Sequence, residues 1–397
     1  MRQVFEQVDY IAGSEDVLAN MQKQPAMRIF DGRVTAFLRA LSGEILKSAK
    51  ARRFPDAVTF AFWCRKANLL LLRKQYDDSD RLGRGVAFHI APSNVPLNFA
   101  YSMAVGMLAG NANVVRLPSK DFEQIAPLCE AITKLLYSGE FTDIAARLCL
   151  VKYARDKKTT DALSALCNSR IIWGGDATVA QIRQSPLPPR ANEITFSDRY
   201  SICLINSDKY LADYDKAKAA RDFYNDTYLT DQNACTSPRA VIWLGGEIEK
   251  AREIFWASLS DQLEGYELKP AQTVNKLSTF YRFAANSACK LAKADDCKLM
   301  RVAVKKLGRS ILDNLENSGY FYEYDAKALD EILPLCGGKC QTLSYIGLDA
   351  AKLRDFILAN APPGVDRIVP VGRTMDFSLV WDGRDLIREL SRVVAIC

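Results

Sequence analysis

Gly85-Val-Ala-Phe-His-Ile-Ala-Pro-Ser-Asn-Val-Pro96 is the stretch that decides the fold. Val86 to Ile90 is a short run, apolar except for His89, of the kind that forms a strand buried on both faces. Pro92 and Pro96, with Ser93 and Asn94 between them, end it. A helix of small and apolar residues is expected from about Phe99 to Ala109. Gly110-Asn-Ala-Asn113 then turns the chain into a second strand, Val114 to Leu117, closed by Pro118-Ser119-Lys120. Strand, helix and strand with turn residues at the joints make the unit from which parallel α/β sheets are built.

Upstream, Asp31 to Lys50 and Ala57 to Lys74 carry apolar residues at three- and four-residue spacing and read as helices. Downstream, helices are expected near Phe122 to Tyr137 and Thr159 to Cys167, and a strand at Arg170 to Trp173. Gly174-Gly175-Asp176 and a helical stretch, Ala177 to Arg183, follow. Ser185-Pro-Leu-Pro-Pro-Arg190 breaks structure, and Glu193 to Phe196 and Ser201 to Ile205 read as strands. Lys209 to Tyr228 reads as a polar helix and Ala240 to Leu244 as a strand, with a long helical region to about Asn317. The tail reads as turns, Pro362-Pro-Gly364 and Pro370-Val-Gly372, and a last helix, Leu386 to Val394.

The chain has 397 residues, enough for two or three domains, and its 49% hydrophobic and 25% charged residues are ordinary for a globular protein. Its apolar runs, such as Leu69 to Leu72, are far short of a membrane span, and the opening Met1 to Gly13 has no apolar signal core, so a cytoplasmic protein is expected. The net charge of +6 comes without a polybasic tract, which argues against nucleic acid as a partner. Eleven cysteines without regular spacing suit buried thiols in a reducing compartment. The single histidine, His89, excludes multi-histidine metal sites and nearly every relay that needs other histidines, so a nucleophile here would be activated without one.

Cys235 lies in a polar turn between a helix and an apolar strand, flanked by Asn233, Thr236 and Ser237. A nucleophile has to be reachable, and nearby N–H groups or a helix start favour the thiolate; a buried structural cysteine is the alternative. Asn94, at a strand end, can offer its amide to a developing oxyanion, or simply cap a helix or close a turn. Gly174-Gly175, between strand and helix, would let a pyrophosphate approach a helix start, though a plain tight turn needs no such explanation.

Val86 to Asn98, Leu108 to Ser119 and Asp231-Gln-Asn-Ala-Cys-Thr-Ser-Pro238, in that order, resemble the LuxC-type acyl-CoA reductases of the aldehyde dehydrogenase superfamily. Cys340-Gln-Thr-Leu-Ser344, Gly364-Val-Asp-Arg-Ile-Val-Pro370 and Trp381-Asp-Gly383 agree, and the likeness runs from about residue 80 to the C-terminus. The N-terminal helices look abbreviated relative to the luminescence enzymes, so their acyl donor is not carried over. The resemblance implies an α/β, aldehyde-dehydrogenase-like fold. A Rossmann-type cofactor domain would take residues 1–200 with a C-terminal helix over 378–397, and an α/β catalytic domain residues 201–377. It makes Cys235 the acyl-accepting nucleophile, and Asn94 with the Cys235 backbone N–H the oxyanion hole. Arg116, Pro118, Ser119, Lys120, Gly174 and Gly175 become cofactor-binding residues.

Two departures from the family pattern sharpen this. NAD-preferring relatives have a glutamate after Pro-Ser; Lys120, with Arg116 close by, suits a 2′-phosphate, so NADPH is the expected cofactor. Hydrolytic relatives keep a general-base glutamate at a strand end where this chain has Phe196, with Glu193 three residues away. Loss of that base suits an enzyme that exchanges its acyl group with a thiol.

The expected activity is therefore NADPH-dependent reduction of an acyl thioester, acyl-CoA or another donor, to an aldehyde. An acyl-phosphate reductase of the same superfamily, or a non-catalytic or acyl-relay subunit of a biosynthetic complex, is the alternative. A homo-oligomer or a partner in such a complex is compatible with the sequence. His89 reads as structural, Cys336 and Cys340 as too few ligands for zinc, and Trp381 to Gly383 as a packed turn.

Overall fold

The computed structural model describes residue 5 and residues 7–76, 80–292 and 296–396. Much of the opening segment in which no signal core is expected, residues 1–4 and 6, lies outside that set. The chain divides into two compact units, Met1–Ser197 with Phe377–Cys397, and Asp198–Asp376.

The first unit carries β1 (Asp9–Ala12), β2 (Arg81–Gly83), β3 (Val86–Ile90), β4 (Ala112–Arg116), β5 (Leu148–Lys152), β6 (Ser169–Trp173) and β7 (Asn192–Phe196). Six of them form one sheet in the order β1-β5-β4-β3-β6-β7. All its pairs are parallel except β1 with β5. From β3 the chain steps outward through β4 to β5, then returns to place β6 and β7 on the other flank of β3. That reversal is a topological switch point, where ligands of open α/β sheets bind beyond the carboxyl ends of the strands.

Both faces of this sheet are covered. Ala87 and Val115 turn toward a core with Phe37, Leu38, Phe60, Phe99, Met103 and Leu128, whereas Phe88 and Val114 turn toward a second with Leu163 and Ile172. The helix Gly32–Lys47 shows why the sequence folds this way. The Asp31 carboxylate accepts from the Arg33 N–H at its start, and Val34, Phe37, Leu38, Leu41 and Ile45 make one buried stripe.

The second unit carries β8 (Tyr200–Asn206), β9 (Pro238–Leu244), β10 (Cys289–Leu291), β11 (Met300–Val304), β12 (Tyr320–Asp325), β13 (Cys340–Ile346) and β14 (Arg367–Pro370). Their order is β10-β11-β12-β9-β8-β13-β14, parallel throughout except β10 with β11. Alternation again fills two layers, with Ala240 and Ile242 on one side of β9 and Val241 and Trp243 on the other.

Several expectations are corrected. Ala57 to Lys74 is two helices, Pro55–Trp63 and Lys66–Arg73, because Arg65 is extended (φ −66°, ψ 147°). Lys209 to Tyr228 likewise breaks into Ser207–Asp213 and Lys216–Thr227, the second capped by the Asp215 side chain. The long helical region to Asn317 ends at Ala284, and β10 and β11 follow, with the side chains of Met300 to Val304 alternating between buried and half-buried. The tail is not mainly turns: it contributes β12, β13, β14 and the helix Ala350–Asn360.

No helix spans 378–397. Asp382 (φ 50°) and Gly383 (φ 71°) instead turn a hairpin of β15 (Val380–Trp381) and β16 (Arg384–Asp385). One helical turn, Leu386–Glu389, leads to β17 (Ser391–Val393), which pairs antiparallel with β2. Among the described residues no helix is long and apolar enough to cross a membrane.

Candidate active site

The helix Lys216–Thr227 delivers the chain to a turn that ends at β9, and Cys235 sits in this turn. Asp231 (φ 52°) and Gln232 (φ 57°) are consecutive left-handed residues, a conformation that costs energy without glycine and persists only where the surroundings impose it. The imposing groups are specific. Gln232 Oε1 accepts from the N–H groups of Gly319 (2.9 Å) and Tyr320 (3.1 Å), and Nε2 donates to the carbonyls of Pro238 (2.9 Å) and Tyr320 (3.2 Å). The Asp231 carboxylate accepts from the Tyr266 hydroxyl and from Gln272 Nε2 at 2.5 Å.

Beyond them Asn317 Nδ2 donates to Asn233 Oδ1 (2.7 Å), and Ser201 Oγ on β8 donates to the Cys235 carbonyl (2.7 Å). Arg239 on β9 donates to the Glu316 carbonyl at 2.6 Å and to Asn317. Burial pushes its guanidinium down to about 10, opposed by the electrostatic pull of Glu316, Cys235 and Asp231.

The described cysteines divide by environment. Cys64, Cys129, Cys149, Cys167, Cys203, Cys336 and Cys340 are buried, whereas Cys235, Cys289 and Cys297 are half-buried. Burial pushes the thiols of Cys129, Cys149, Cys167 and Cys203 up to about 12, which leaves them inert at neutral pH. Cys336 and Cys340 are neighbouring thiols, and the hydrogen bond with Cys336, together with burial, pushes the Cys340 thiol up. Among the described residues no three His, Cys, Asp or Glu side chains are grouped to hold a metal.

In the first unit the remaining candidates come together at the carboxyl edge of the sheet. Asn94 is exposed in the loop after β3, Pro118 buried and Ser119 and Lys120 exposed in the loop after β4, and Gly174-Gly175 follows β6. Ser93 Oγ and Ser119 Oγ are 3.0 Å apart, which joins the β3 and β4 loops. Lys120 Nζ stands 4.9 Å from the Phe122 ring. Arg116 is committed elsewhere: its guanidinium lies 4.3 Å from the Tyr153 ring and donates to the carbonyls of Tyr153 (3.3 Å) and Ala154 (3.4 Å). The Gly174 N–H continues the β6–β7 ladder to the Phe196 carbonyl at 3.1 Å, and Gly175, the N-cap of the helix Asp176–Ile182, marks the helix start that could meet a phosphate. Hydroxyls, an exposed cation and a helix start at a switch point fit a phosphorylated nucleotide.

His89 is structural. It is fully buried, its Nε2–H donates to Asn113 Oδ1 (2.9 Å), its Nδ1 accepts from Ser102 Oγ (2.7 Å), and Trp173 Nε1 donates to the same Ser102 oxygen (3.0 Å). Burial lowers it to about 4, so it stays neutral. Glu193 is bound to Arg170 (2.5 Å) and Arg183 (2.7 Å), and Phe196 stacks on Trp173 with ring centres 3.7 Å apart. Trp381 packs on Phe377.

Gln232 and Arg239 shape the turn at Cys235 and were not singled out from the sequence. Gln232 stands within the quoted Asp231 to Pro238 segment, three residues before Cys235, and that adjacency was the available signal.

The sequence profile of the family described as acyl-CoA reductase (LuxC) matches residues 70–394. The chain belongs to that family. It is 24% identical over 329 residues to the long-chain acyl-protein thioester reductase of Photorhabdus laumondii, and 23% identical over 339 residues to that of Vibrio harveyi. Each match takes in 78% of this chain and 63% of the relative, so the chain corresponds to less than two thirds of these proteins. Among solved structures, a putative aldehyde dehydrogenase from Burkholderia cenocepacia superposes with a TM-score of 0.67 at 15% identity, covering 96% of this chain and 90% of its own. Aldehyde dehydrogenase 21 from Physcomitrella patens gives 0.67 at 12% identity, covering 96% and 88%. The fold of this LuxC-family chain is therefore aldehyde-dehydrogenase-like, as its sequence resemblance implied.

Proposed function

We propose that this LuxC-family protein reduces an acyl thioester to an aldehyde through a covalent thioester on Cys235, with NADPH as reductant. The observation that carries the reading is the turn at Cys235: a half-buried thiol in a backbone held left-handed on one side and pinned by Ser201 on the other, among cysteines that are otherwise mostly buried. Family membership and the names of its relatives support an acyl thioester as substrate.

In this reading the Cys235 thiolate attacks the thioester carbonyl; the new C–S bond forms, and the donor thiol leaves with the old one. The Asn94 amide and the Cys235 N–H donate to the oxyanion that builds up on the carbonyl oxygen. NADPH, when bound, would supply the hydride for reduction of the acyl group; collapse of the resulting thiohemiacetal would break its C–S bond, releasing the aldehyde and returning the Cys235 thiol. Ser119 and Pro118 would underlie the ribose, Lys120 would pair with the 2′-phosphate, and Gly174-Gly175 would admit the pyrophosphate to the helix start. Arg116, engaged with Tyr153 and Ala154, would back this edge rather than lead it. With Glu193 held by two arginines and Phe196 against Trp173, neither would activate water, which leaves Asp198 as the carboxylate to exclude at this strand end; without such a base the acyl-enzyme would wait for a thiol or hydride. The domain assignments follow: the first unit would bind cofactor, the second would carry the nucleophile.

Incubation with acyl-CoA and no cofactor should add one acyl mass to the peptide containing Thr230 to Arg239, and Cys235→Ala should abolish it. Asn94→Ala should lower turnover by ~10²–10³. Acylation of another cysteine, or none by any thioester, would remove this reading.

A further inference from the structure

A buried aspartate next to the nucleophile turn has no part in the chemistry above. Asp226, in the last turn of the helix Lys216–Thr227, is 1% exposed, and its carboxylate meets main-chain amides rather than a cation. Oδ2 accepts from the Gly372 N–H at 2.6 Å and Oδ1 from the Thr374 N–H at 3.2 Å. Burial pushes its carboxyl up to about 7, with Asp222 one turn earlier adding repulsion, so the group is a liability for stability. What it does is hold a loop. Gly372 is left-handed (φ 90°), and a Cβ there would stand 2.8 Å from the Asp222 side chain, so the loop passes the helix at close range. From the other side Arg367 donates to the carbonyls of Thr374 (3.0 Å) and Asp376 (2.9 Å).

Between these two clamps lies Met375, whose sulfur accepts from Thr236 Oγ1 at 3.3 Å. The next residue, Ser237, donates its hydroxyl to the Asp226 carbonyl at 2.7 Å. Both residues that follow Cys235 are thus tied to Asp226, Ser237 directly and Thr236 through the loop.

Resting on the proposed role of Cys235, we propose that Asp226 is a positioning residue for that nucleophile: by holding Gly372–Thr374 it seats Met375 against Thr236 and fixes the backbone from which the thiol projects. The carboxylate does not touch the reacting atoms. Its effect is on how well the thiol and the Cys235 N–H are aimed, and a misplacement of about 1 Å can cost ~10²-fold in rate.

Three variants test it: Asp226→Ala, Asp226→Asn, which keeps one acceptor oxygen, and Thr236→Val, which cuts the tie to Met375 and leaves Asp226 alone. The rate of Cys235 alkylation by iodoacetamide, followed on the Thr230 to Arg239 peptide, reads positioning without acyl chemistry. Turnover of acyl-CoA with NADPH then separates kcat from KM. Asp226→Ala and Thr236→Val should each slow alkylation and kcat about tenfold with the NADPH KM within about twofold of wild type, and Asp226→Asn should fall between. If Asp226→Ala does not fold, Thr236→Val and Asp226→Asn decide. Alkylation of both at the wild-type rate would overturn the proposal. Slowed alkylation in variants of a protein that no thioester acylates would keep the positioning role and discard the reductase reading.

Discussion

Replacing Gln232 with methionine keeps the length of the side chain and deletes its polar end, in a residue 1% exposed. Four hydrogen bonds go, two accepted from the amides of Gly319 and Tyr320 and two donated to the carbonyls of Pro238 and Tyr320. A net ~1 kcal/mol for each gives about 4 kcal/mol, and main-chain groups left dry can only add to it. In a unit the size of residues 198–376, where 1 kcal/mol moves the melting point by roughly 2–4 °C, the transition should fall by roughly 8–16 °C. The loss is not only global. Asp231 and Gln232 are held left-handed by these contacts, so the turn should relax in the folded variant and Cys235 should react more slowly with iodoacetamide at a temperature where both proteins are folded. Calorimetry and timed alkylation read the two effects separately. A melting shift below about 2 °C, or a variant that is destabilised yet alkylated at the wild-type rate, would refute the claim that this amide shapes the turn.

Glu193→Leu should leave the buried Arg170 guanidinium with only the neutral groups of Ser164 and Ser185 among its known partners, at a cost of about 3–5 kcal/mol in denaturant unfolding, without changing any acyl-enzyme hydrolysis. Lys120→Glu should weaken NADPH by roughly tenfold to a hundredfold and NADH far less, measured by fluorescence titration; equal loss for both would place Lys120 away from the 2′ position. His89, held at about 4 when folded against 6.5 when free, takes up its proton first in the unfolded chain. Its contribution to stability is complete above pH 6.5 and is lost as pH falls toward 4, a span worth ~3 kcal/mol. Melting curves from pH 7.5 to 4.5 should therefore slope more steeply in wild type than in His89→Gln, and parallel slopes would exclude the buried histidine as the cause.

What the sequence showed and what it hid divide along a physical line. Val86 to Ile90 reads as a strand because a short apolar run between glycine and Pro92 admits little else, and β3 is that run. β5 escaped because Leu148–Lys152 has no glycine or proline at its edges, and a four-residue apolar run fits helix or strand equally. β12 escaped for a different reason. Glu323 interrupts its apolar alternation, yet the carboxylate is buried, accepting from the indole N–H groups of Trp243 (3.1 Å) and Trp256 (2.6 Å), partners 80 and 67 residues away. The candidate site repeats the contrast. Cys235, Asn94 and Lys120 declare themselves as candidates by residue type and local flank, because the roles proposed for them, nucleophile, donor amide and cation, act through their own atoms. Gln232 and Asp226 act through the main chain of segments 88 and 146 residues distant, and an amide or carboxylate in that service looks in sequence like any other polar turn residue. Glycine would have advertised the left-handed pair before Cys235. Asp231 and Gln232 conceal it because the bonds that force the conformation are made by their own side chains, which glycine could not make. The turn at Cys235 is therefore imposed by side chains whose partners only the fold supplies, while the thiol it carries is legible from the chain alone.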